Sequence, residues 1–355
     1  MEKATTTFWA ALTAALLLVI GSTNANAAAW RINNDVTKKA HFTSINEAMS
    51  SADVVAGDTL YLDPGCVNTS THTINKQITL IGTGYASTGI QIATVGTLVI
   101  TAAHVKVEGV YISGGLTLRA DYITIERCKI KGRISNDSNS NSMYATFRQC
   151  RIYNYVEGQG TTHTATQGWT IENCIINSNN SEGTVWGLYN PTITNNIIWN
   201  ESTSTSSSYY PSALRNISGG VIRNNILLNV KNTRAKTLWS VENSIVQHNV
   251  LSQDEATMAS TYPDNTCLDM GYTDALPLLF TLDSETSQYR YRLKEDSPAR
   301  GAGIDGEDCG VFAGSYPFVD NGYPQGIPVI TSSAIGVRAV NGKVSVKQTV
   351  VIQND

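Results

Sequence analysis

An eight-residue pattern that recurs through the middle of this 355-residue chain constrains its fold most strongly. The clearest copy is WTIENCII at residues 169–176. Further copies begin at Val105, Ile123, Ala145, Pro191, Gly220 and Ser244. The copies align on a column made of Val110, Cys128, Cys150, Cys174, Asn196, Asn225 and Asn249. Successive members of this column are 18, 22, 24, 22, 29 and 24 residues apart. A pattern that recurs at this period indicates a solenoid.

Each copy contains one irregular step. Alternate residues of a strand lie on the same face, but the step from Ile171 to Cys174 is three residues. The chain must turn a corner there, at a residue with positive φ, which Gly and Asn tolerate best. Gly109, Asn173, Asn195 and Asn224 occupy the corner in four copies, and Arg127, Gln149 and His248 occupy it in the others. Two strands joined by a corner predict one coil of a parallel β-helix. The alternative, a flat sandwich of independent hairpins, gives no reason for the column to recur.

The N-terminus has the three-part pattern of a secretory signal peptide. Lys3 precedes an apolar run over residues 8–20, and the small residues Ala25 and Ala27 form a cleavage box. The apolar run is short for a membrane span, and no later segment approaches its length. We therefore expect an exported protein that is periplasmic, cell-surface or extracellular, with no membrane span in the mature chain. The chain has 15% charged residues and a net charge of −4, so a nucleic-acid partner is not expected.

The cysteines do not follow a disulfide pattern. An exported chain with six cysteines would usually be cross-linked. Three of them, however, share the inward column that asparagine takes over in later copies: Cys128, Cys150 and Cys174. Adjacent coils lie about 4.8 Å apart, which exceeds the roughly 3.8 Å between β-carbons that a disulfide prefers. We predict that these three are reduced, stacked core residues.

The two ends of the chain differ from the repeats. Apolar residues at helical spacing over residues 42–49, with Thr43 or Ser44 as N-cap, predict a helix that covers the open end of the first coil. Residues 283–318 are expected to form irregular closing coils. Apolar and polar residues alternate on both sides of Asn341-Gly342, and this pattern predicts a β-hairpin near the C-terminus.

Segments near both ends resemble a known superfamily. They are FTSINEA at residues 42–48, GDTLYL at 57–62, ITLIGTGY at 78–85, DSPARGAG at 296–303 and DCGVF at 308–312. They resemble secreted right-handed β-helix proteins of the pectin-lyase-like superfamily, in particular the group common in Bacteroidetes. The resemblance implies an all-β, right-handed parallel β-helix, and the superfamily includes lyases, hydrolases, esterases and adhesins. The expected layout is a signal peptide at 1–27, the β-helix with its N-terminal cap at 28–320 and a C-terminal β tail at 321–355.

Candidate catalytic residues are few. A polysaccharide lyase needs a base, usually Arg or Lys, and a glycoside hydrolase needs two carboxylates. Glu126, Arg148 and Glu172 share an outward column, which predicts an ion-pair ladder and, as the alternative, a catalytic group formed by Arg148 and Glu172. His163, in a long polar insertion, is the other candidate base. No metal-ligand spacing and no cofactor motif occurs, and the coils have few of the carboxylates that calcium would require.

Sugar binding requires aromatic faces beside polar groups. Candidates in or beside the polar insertions are Trp186, Tyr189, Tyr209 and Tyr210. We expect a protein that binds a polysaccharide or cell-surface glycan and acts on it as a candidate lyase or hydrolase. The alternative is a non-catalytic structural or adhesin-type surface protein. End caps on the solenoid would favour a monomer.

Overall fold

A computed structural model describes residues 27–85, 91–137, 140–158, 164–204, 210–231, 235–253, 261–281, 290–326, 328–335 and 346–352. Residues 1–26, which hold almost all of the expected signal peptide, lie outside this set. The described chain forms an all-β, right-handed parallel β-helix whose coils contribute strands to three parallel sheets.

The strands of each sheet stack in chain order along the helix axis. Sheet A contains Ala29–Ile32, Thr59–Leu62, Thr79–Ile81, Lys106–Glu108, Thr124–Glu126, Thr146–Arg148, Thr170–Glu172, Thr192–Thr194, Val221–Arg223 and Ile245–Gln247. Sheet B contains Val67–Asn68, Thr94–Val95, Tyr111–Ile112, Lys129–Ile130, Arg151–Ile152, Ile175–Ser178, Ile197–Asn200, Ile226–Leu228, Val250–Leu251 and Thr266–Cys267. Sheet C contains His72–Ile74, Leu98–Ile100, Leu116–Leu118, Ile134–Asn136, Val156–Glu157, Val185–Tyr189, Ser212–Ser218 and Lys236–Glu242.

The predicted corner between sheets A and B is confirmed. All seven corner residues, including Arg127, Gln149 and His248, have φ angles between 50° and 64°. A second set of left-handed residues occurs five positions earlier in each copy, where the chain enters sheet A. These are His104, Tyr122, Tyr144, Gly168, Asn190, Gly219 and Asn243. Each strand of the repeat is therefore bounded by a sharp turn at both ends, which keeps its alternate side chains inside the coil.

The inward column divides into two ladders. Cys128, Cys150 and Cys174 are fully buried, and all six cysteines of the chain, each within the described residues, are free. The buried, inward position predicted for these three cysteines is therefore confirmed. Burial raises the pKa of the Cys128 and Cys174 thiols well above the ordinary value. In the later coils the column continues as Asn196, Asn225, Asn249 and Asn265, whose amides bond from coil to coil at 2.9 Å.

One short helix, α1 (Ile45–Ser50), precedes the regular coils. The side chain of Ser44 accepts a hydrogen bond from the backbone N–H of Glu47 at 3.1 Å, as expected for an N-cap. Ile45, Ala48 and Met49 are buried in the same apolar core as the first coils. No helix in the described part of the chain has the length and hydropathy needed to cross a membrane.

Residues 290–318 do not form closing coils, which corrects the expectation for this part of 283–318, while residues 283–289 lie outside the described set. Residues 304–325, here called the strap, run back along the A–B corner from the later coils to the earlier ones. The backbone N–H of Ile304 bonds the side chain of Asn224, the carbonyl of Pro317 accepts from Gln149, and the N–H of Gln325 bonds Glu108. The corner side chains therefore hold the strap, which a sequence repeat cannot reveal.

A second apolar core lies outside the coils, on the outer face of sheet B. Helix α2 (Tyr272–Leu279) and the strap residues Val311 and Phe318 cover Ile175, Ile197, Ile226 and Val250 of that face. Beyond the strap, Pro328–Ile335 and Val346–Ile352 pair antiparallel. The turn predicted at Asn341-Gly342 lies outside the described residues.

Candidate functional site

The outer face of sheet C brings together side chains that are far apart in sequence. Register pairs Glu157 with Trp186, Trp186 with Arg215, and Arg215 with Trp239 on successive coils. These four residues, here called the sheet C column, are neither fully buried nor fully exposed. Because neighbouring strands lie about 4.8 Å apart, the column presents one functional side chain per rung along the helix axis.

Aromatic rings occupy two rungs of this column. The ring of Tyr210 stacks on Trp239 with centroids 4.1 Å apart and planes inclined by 17°. Trp186 lies one rung from Arg215, which separates it from Trp239. Aromatic surfaces with polar groups between them are suited to the apolar faces and hydroxyl groups of sugar rings.

The column also holds buried hydrogen-bond donors without acceptors. Within the described part of the chain, Nε1 of Trp186 and both Nε and Nη1 of Arg215 are buried and make no hydrogen bond. Nη1 of Arg215 forms an ion pair with Oε2 of Glu182 at 3.8 Å. Buried donors usually have partners, since an unpaired one costs free energy. Nε1 of Trp186 and Nε of Arg215 are thus donors without a partner on adjacent rungs of the column.

The loop before Trp186 adds a second carboxylate to this face. The side chain of Asn180 accepts the backbone N–H of Glu182 at 2.7 Å and so fixes the turn that carries this carboxylate. Gly183 lets the loop lie against the column, since a Cβ there would be 3.3 Å from the Cβ of Arg215. Glu182 and Glu157 thus occupy the same region of the surface.

The surroundings of Glu157 change the pKa of its carboxyl group. Burial and the negative charge of Glu182 raise the pKa of Glu157 above its ordinary value, and Arg133 opposes this shift. Nη1 of Arg133 lies 3.9 Å from Oε2 of Glu157. Hydrogen bonding to Tyr155 raises the pKa of Arg133 itself. A carboxyl group with a raised pKa beside a second carboxylate is an arrangement found at acid–base sites.

Of the four aromatic residues predicted to bind sugar, Trp186 and Tyr210 lie in this region. Tyr189 lies on the same strand as Trp186, on the far side of Gly187, whose φ of 74° bends the strand. Tyr209 and the candidate base His163 lie outside the described residues.

Arg148 and Glu172 lie on another face, the outer face of sheet A. Arg148 contacts Glu126 at 2.8 Å and Glu172 at 3.2 Å, and the ring of Tyr316 lies 3.7 Å above its guanidinium. The predicted ion-pair ladder is therefore confirmed. Lys106 extends it, at 2.9 Å from both Glu108 and Glu126. The guanidinium of Arg148 is occupied by these partners.

Sequence reasoning missed Glu157, Glu182, Arg133 and Arg215. The strands of sheet C do not repeat the eight-residue pattern, and the turns that precede them differ in length. No feature of the sequence therefore indicates the register of these strands or the column that it forms. The alternation of Val156 and Glu157, and of Val185 and Trp186, indicates outward positions, but not that these positions are neighbours.

No metal centre is evident in the part of the chain that the structure describes. There, no group of three or more His, Cys, Asp or Glu side chains is placed to hold a metal ion. A separate cavity of about 260 Å³ lies between the strap and the outer face of sheet B. The Arg300 side chain that lines this cavity is bonded to Asp308 at 3.3 Å and to backbone carbonyls. We therefore assign the cavity no function.

Comparison with known proteins yields structural matches but no sequence match. The chain matches no family model and no curated protein. Its structure is similar to that of the GH136 lacto-N-biosidase from Eubacterium ramulus, with 10% identity, a TM-score of 0.39, and coverage of 63% of this chain and 56% of that one. It is also similar to pectate lyase Pel9A, with 15% identity, a TM-score of 0.38, and coverage of 82% of this chain and 97% of that one. The chain thus spans little more than half the length of the lacto-N-biosidase.

Proposed function

We propose that this protein is an exported β-helix that binds a polysaccharide along the outer face of sheet C. The observation that carries the proposal is the in-register column of Trp186, Arg215 and Trp239, with Tyr210 stacked on Trp239. Sugar rings would stack on the aromatic surfaces, and ring or carboxylate oxygens would accept from the unpaired N–H groups of Trp186 and Arg215. The column follows the helix axis, so the glycan chain would lie along it.

Export is part of the proposal and rests on the signal-peptide pattern of residues 1–27. Export would bring the column into contact with polysaccharides outside the cytoplasm. The check is N-terminal sequencing of the protein recovered from outside the cytoplasm, which should begin at Ala28. A mature protein that retains Met1 contradicts this part of the proposal.

The binding test compares retention of variants on a glycan array. Trp186→Ala and Trp239→Ala should each weaken retention by tenfold or more on the glycans that the wild type binds. Tyr316→Ala serves as the control, because this half-exposed ring lies over Arg148 on sheet A. Thermal unfolding of each variant establishes that it is folded. Unchanged retention of both tryptophan variants contradicts the proposal. A wild type that binds no glycan favours a structural or adhesive surface protein.

Hydrolysis of the bound glycan is the second candidate function, favoured by the Glu157 and Glu182 carboxyl groups. In this scheme Glu157 donates its proton to the glycosidic oxygen as the C–O bond breaks. Water adds to the anomeric carbon and loses a proton to Glu182, which is the general chemistry of two-carboxylate glycosidases. The raised pKa of Glu157 supports its role as the acid.

The activity test uses the glycans retained on the array as substrates. Glu157→Gln should abolish the release of reducing ends, by a hundredfold or more, while retention on the array stays within twofold of the wild type. Release of an unsaturated product, detected by ultraviolet absorbance with and without calcium, would instead identify a lyase. Absence of both products leaves a binding protein without catalysis and rules out this second function.

A further inference from the structure

The uncovered part of the outer face of sheet B carries cations and aromatic rings. Register aligns Tyr111, Lys129 and Arg151 on successive coils, and the same column continues as Ile175. From Ile175 onward the face is apolar and covered by helix α2 and the strap. Before Ile175 the face carries polar side chains, of which Arg151 is buried, Tyr111 and Lys129 are partly exposed and Tyr153 is 40% exposed. The outer face of this sheet therefore changes from a covered apolar surface at Ile175 to a partly exposed, cationic one at Lys129.

Tyrosine rings hold the two cations of this region in place. Nζ of Lys129 lies 5.4 Å from the ring centre of Tyr111 and 5.3 Å from that of Tyr153. The guanidinium of Arg151 lies 4.2 Å from the ring centre of Tyr153. Cation–π contacts of this kind position a charge without neutralising it. We call Tyr111, Lys129, Arg151 and Tyr153 the sheet B patch.

Further contacts order the Arg151 side chain. It donates to the hydroxyl of Tyr291 and to the carbonyl of Ile175, both at 3.3 Å. Trp199, which lies on the covered part of the face, approaches its guanidinium to 5.3 Å. All of these partners are neutral, and they fix the direction of the guanidinium before any ligand is present.

The charges of the patch lack counterions. Within the described residues neither Lys129 nor Arg151 makes an ion pair, although Arg151 is only 9% exposed. On sheet A, in contrast, Lys106 and Arg148 are each paired with two carboxylates at 2.8 to 3.2 Å. A charge that is largely removed from water and left unpaired is costly unless an opposite charge approaches it. The patch is therefore complementary to an anionic ligand.

We propose that the sheet B patch is a second glycan site, separate from the sheet C column, which binds the acidic groups of a polysaccharide. Lys129 and Arg151 would each neutralise a carboxylate or sulfate, and the hydroxyl groups of Tyr111 and Tyr153 would donate to its oxygens. Lys131, exposed one residue beyond the strand, extends the positive surface. The proposal does not depend on the sheet C column, because the two surfaces lie on different sheets.

The test measures affinity for polygalacturonate, dextran sulfate and neutral dextran at low salt. Lys129→Gln should lower affinity for polygalacturonate or dextran sulfate at least fivefold, and Lys129→Arg should restore it to within twofold of the wild type. Lys231→Gln, which removes an equal charge from an exposed site beside Asp269, is the matched control and should have no effect. Comparison of the two anionic glycans tells whether carboxylate or sulfate is preferred.

Two further measurements make the outcome decisive. The fold-change that Lys129→Gln causes should be the same in the wild type and in the Trp186→Ala background, so the two proposals can fail separately. Thermal unfolding shows whether Lys129→Gln remains folded. The proposal is overturned if the wild type binds neither anionic glycan, if Lys129→Gln binds as the wild type does, or if duplex DNA of equal charge binds as tightly as the glycans.

Discussion

The corner residues between sheets A and B serve two purposes. All seven have positive φ, a conformation that costs a non-glycine residue about 1–2 kcal/mol. Arg127 and Gln149, which depart from the Gly or Asn preference, bond each other through Nε and Oε1 at 2.8 Å, and Gln149 also bonds the strap. Asn173 donates to two strap carbonyls, at 2.7 and 2.9 Å. Side-chain bonds to the strap thus offset backbone strain at the corner.

The stability of the later coils should depend strongly on each asparagine of the ladder. Asn225 is fully buried, donates to Asn249 and to the carbonyl of Ile193, and accepts from both the backbone and the side chain of Asn196. We predict that Asn225→Ala lowers the free energy of unfolding by about 3 kcal/mol or more, because several buried groups lose their partners. Denaturant unfolding measures this change.

The control for the ladder is Thr192→Ala, at an exposed position of sheet A. Its effect should stay within about 0.5 kcal/mol, as is usual for surface substitutions. A loss below about 1 kcal/mol for Asn225→Ala would show that solvent or repacking satisfies the ladder.

The strap is the element on which the second core depends. It covers the apolar rungs of sheet B through Val311 and Phe318, and its backbone bonds corner side chains along most of its length. Within it, Asp320 is partly buried, and this burial raises its pKa to about 6 although Arg292 opposes the shift. The ionised form of Asp320 therefore weakens strap docking.

The sign of the pH effect follows from the direction of this shift. An unfolded-state carboxyl has a pKa of about 3.9, so the folded state holds the proton more tightly. The stabilisation that protonated Asp320 provides is complete below about pH 3.9 and is lost as the pH rises to about 6.

Asp320→Asn should therefore raise the free energy of unfolding at pH 7.5 and have little effect at pH 3.5. Each pKa unit corresponds to about 1.4 kcal/mol, and because partial exposure screens the charge we expect a gain of about 1 kcal/mol. Denaturant unfolding at both pH values measures it, with the exposed Asp53→Asn as control. An equal effect at both pH values would show that charge is not the cause.

At the scale of the whole molecule, the chain is held together by ladders and by the strap, without disulfides. All six cysteines are free, and five of them are buried. We predict the same melting temperature with and without reductant. A thiol reagent should detect six thiols after unfolding and at most one, Cys267, in the native protein. A fall in melting temperature on adding reductant would reveal a disulfide and contradict this prediction.

The local rules of the coil could be read from the sequence. The corner, the inward column and the Glu126–Arg148–Glu172 ladder all lie within the eight-residue pattern, so their offsets are the same in every copy and their alignment follows from counting. The helix at Ile45–Ser50 and its Ser44 cap could also be predicted from the sequence, because capping and helical spacing are local features. The sequence by itself therefore determined the solenoid class and the corner between sheets A and B.

The tertiary structure alone decided the sheet C column, the sheet B patch and the course of the strap. Turns of unequal length separate the repeats from sheet C, so only the folded register brings Glu157, Trp186 and Arg215 together. Strap contacts join residues far apart in the chain, such as Asn173 and Val311, 138 positions apart, or Glu108 and Gln325, 217 positions apart. No periodicity links such residues, because their contact arises from the packing of separate segments.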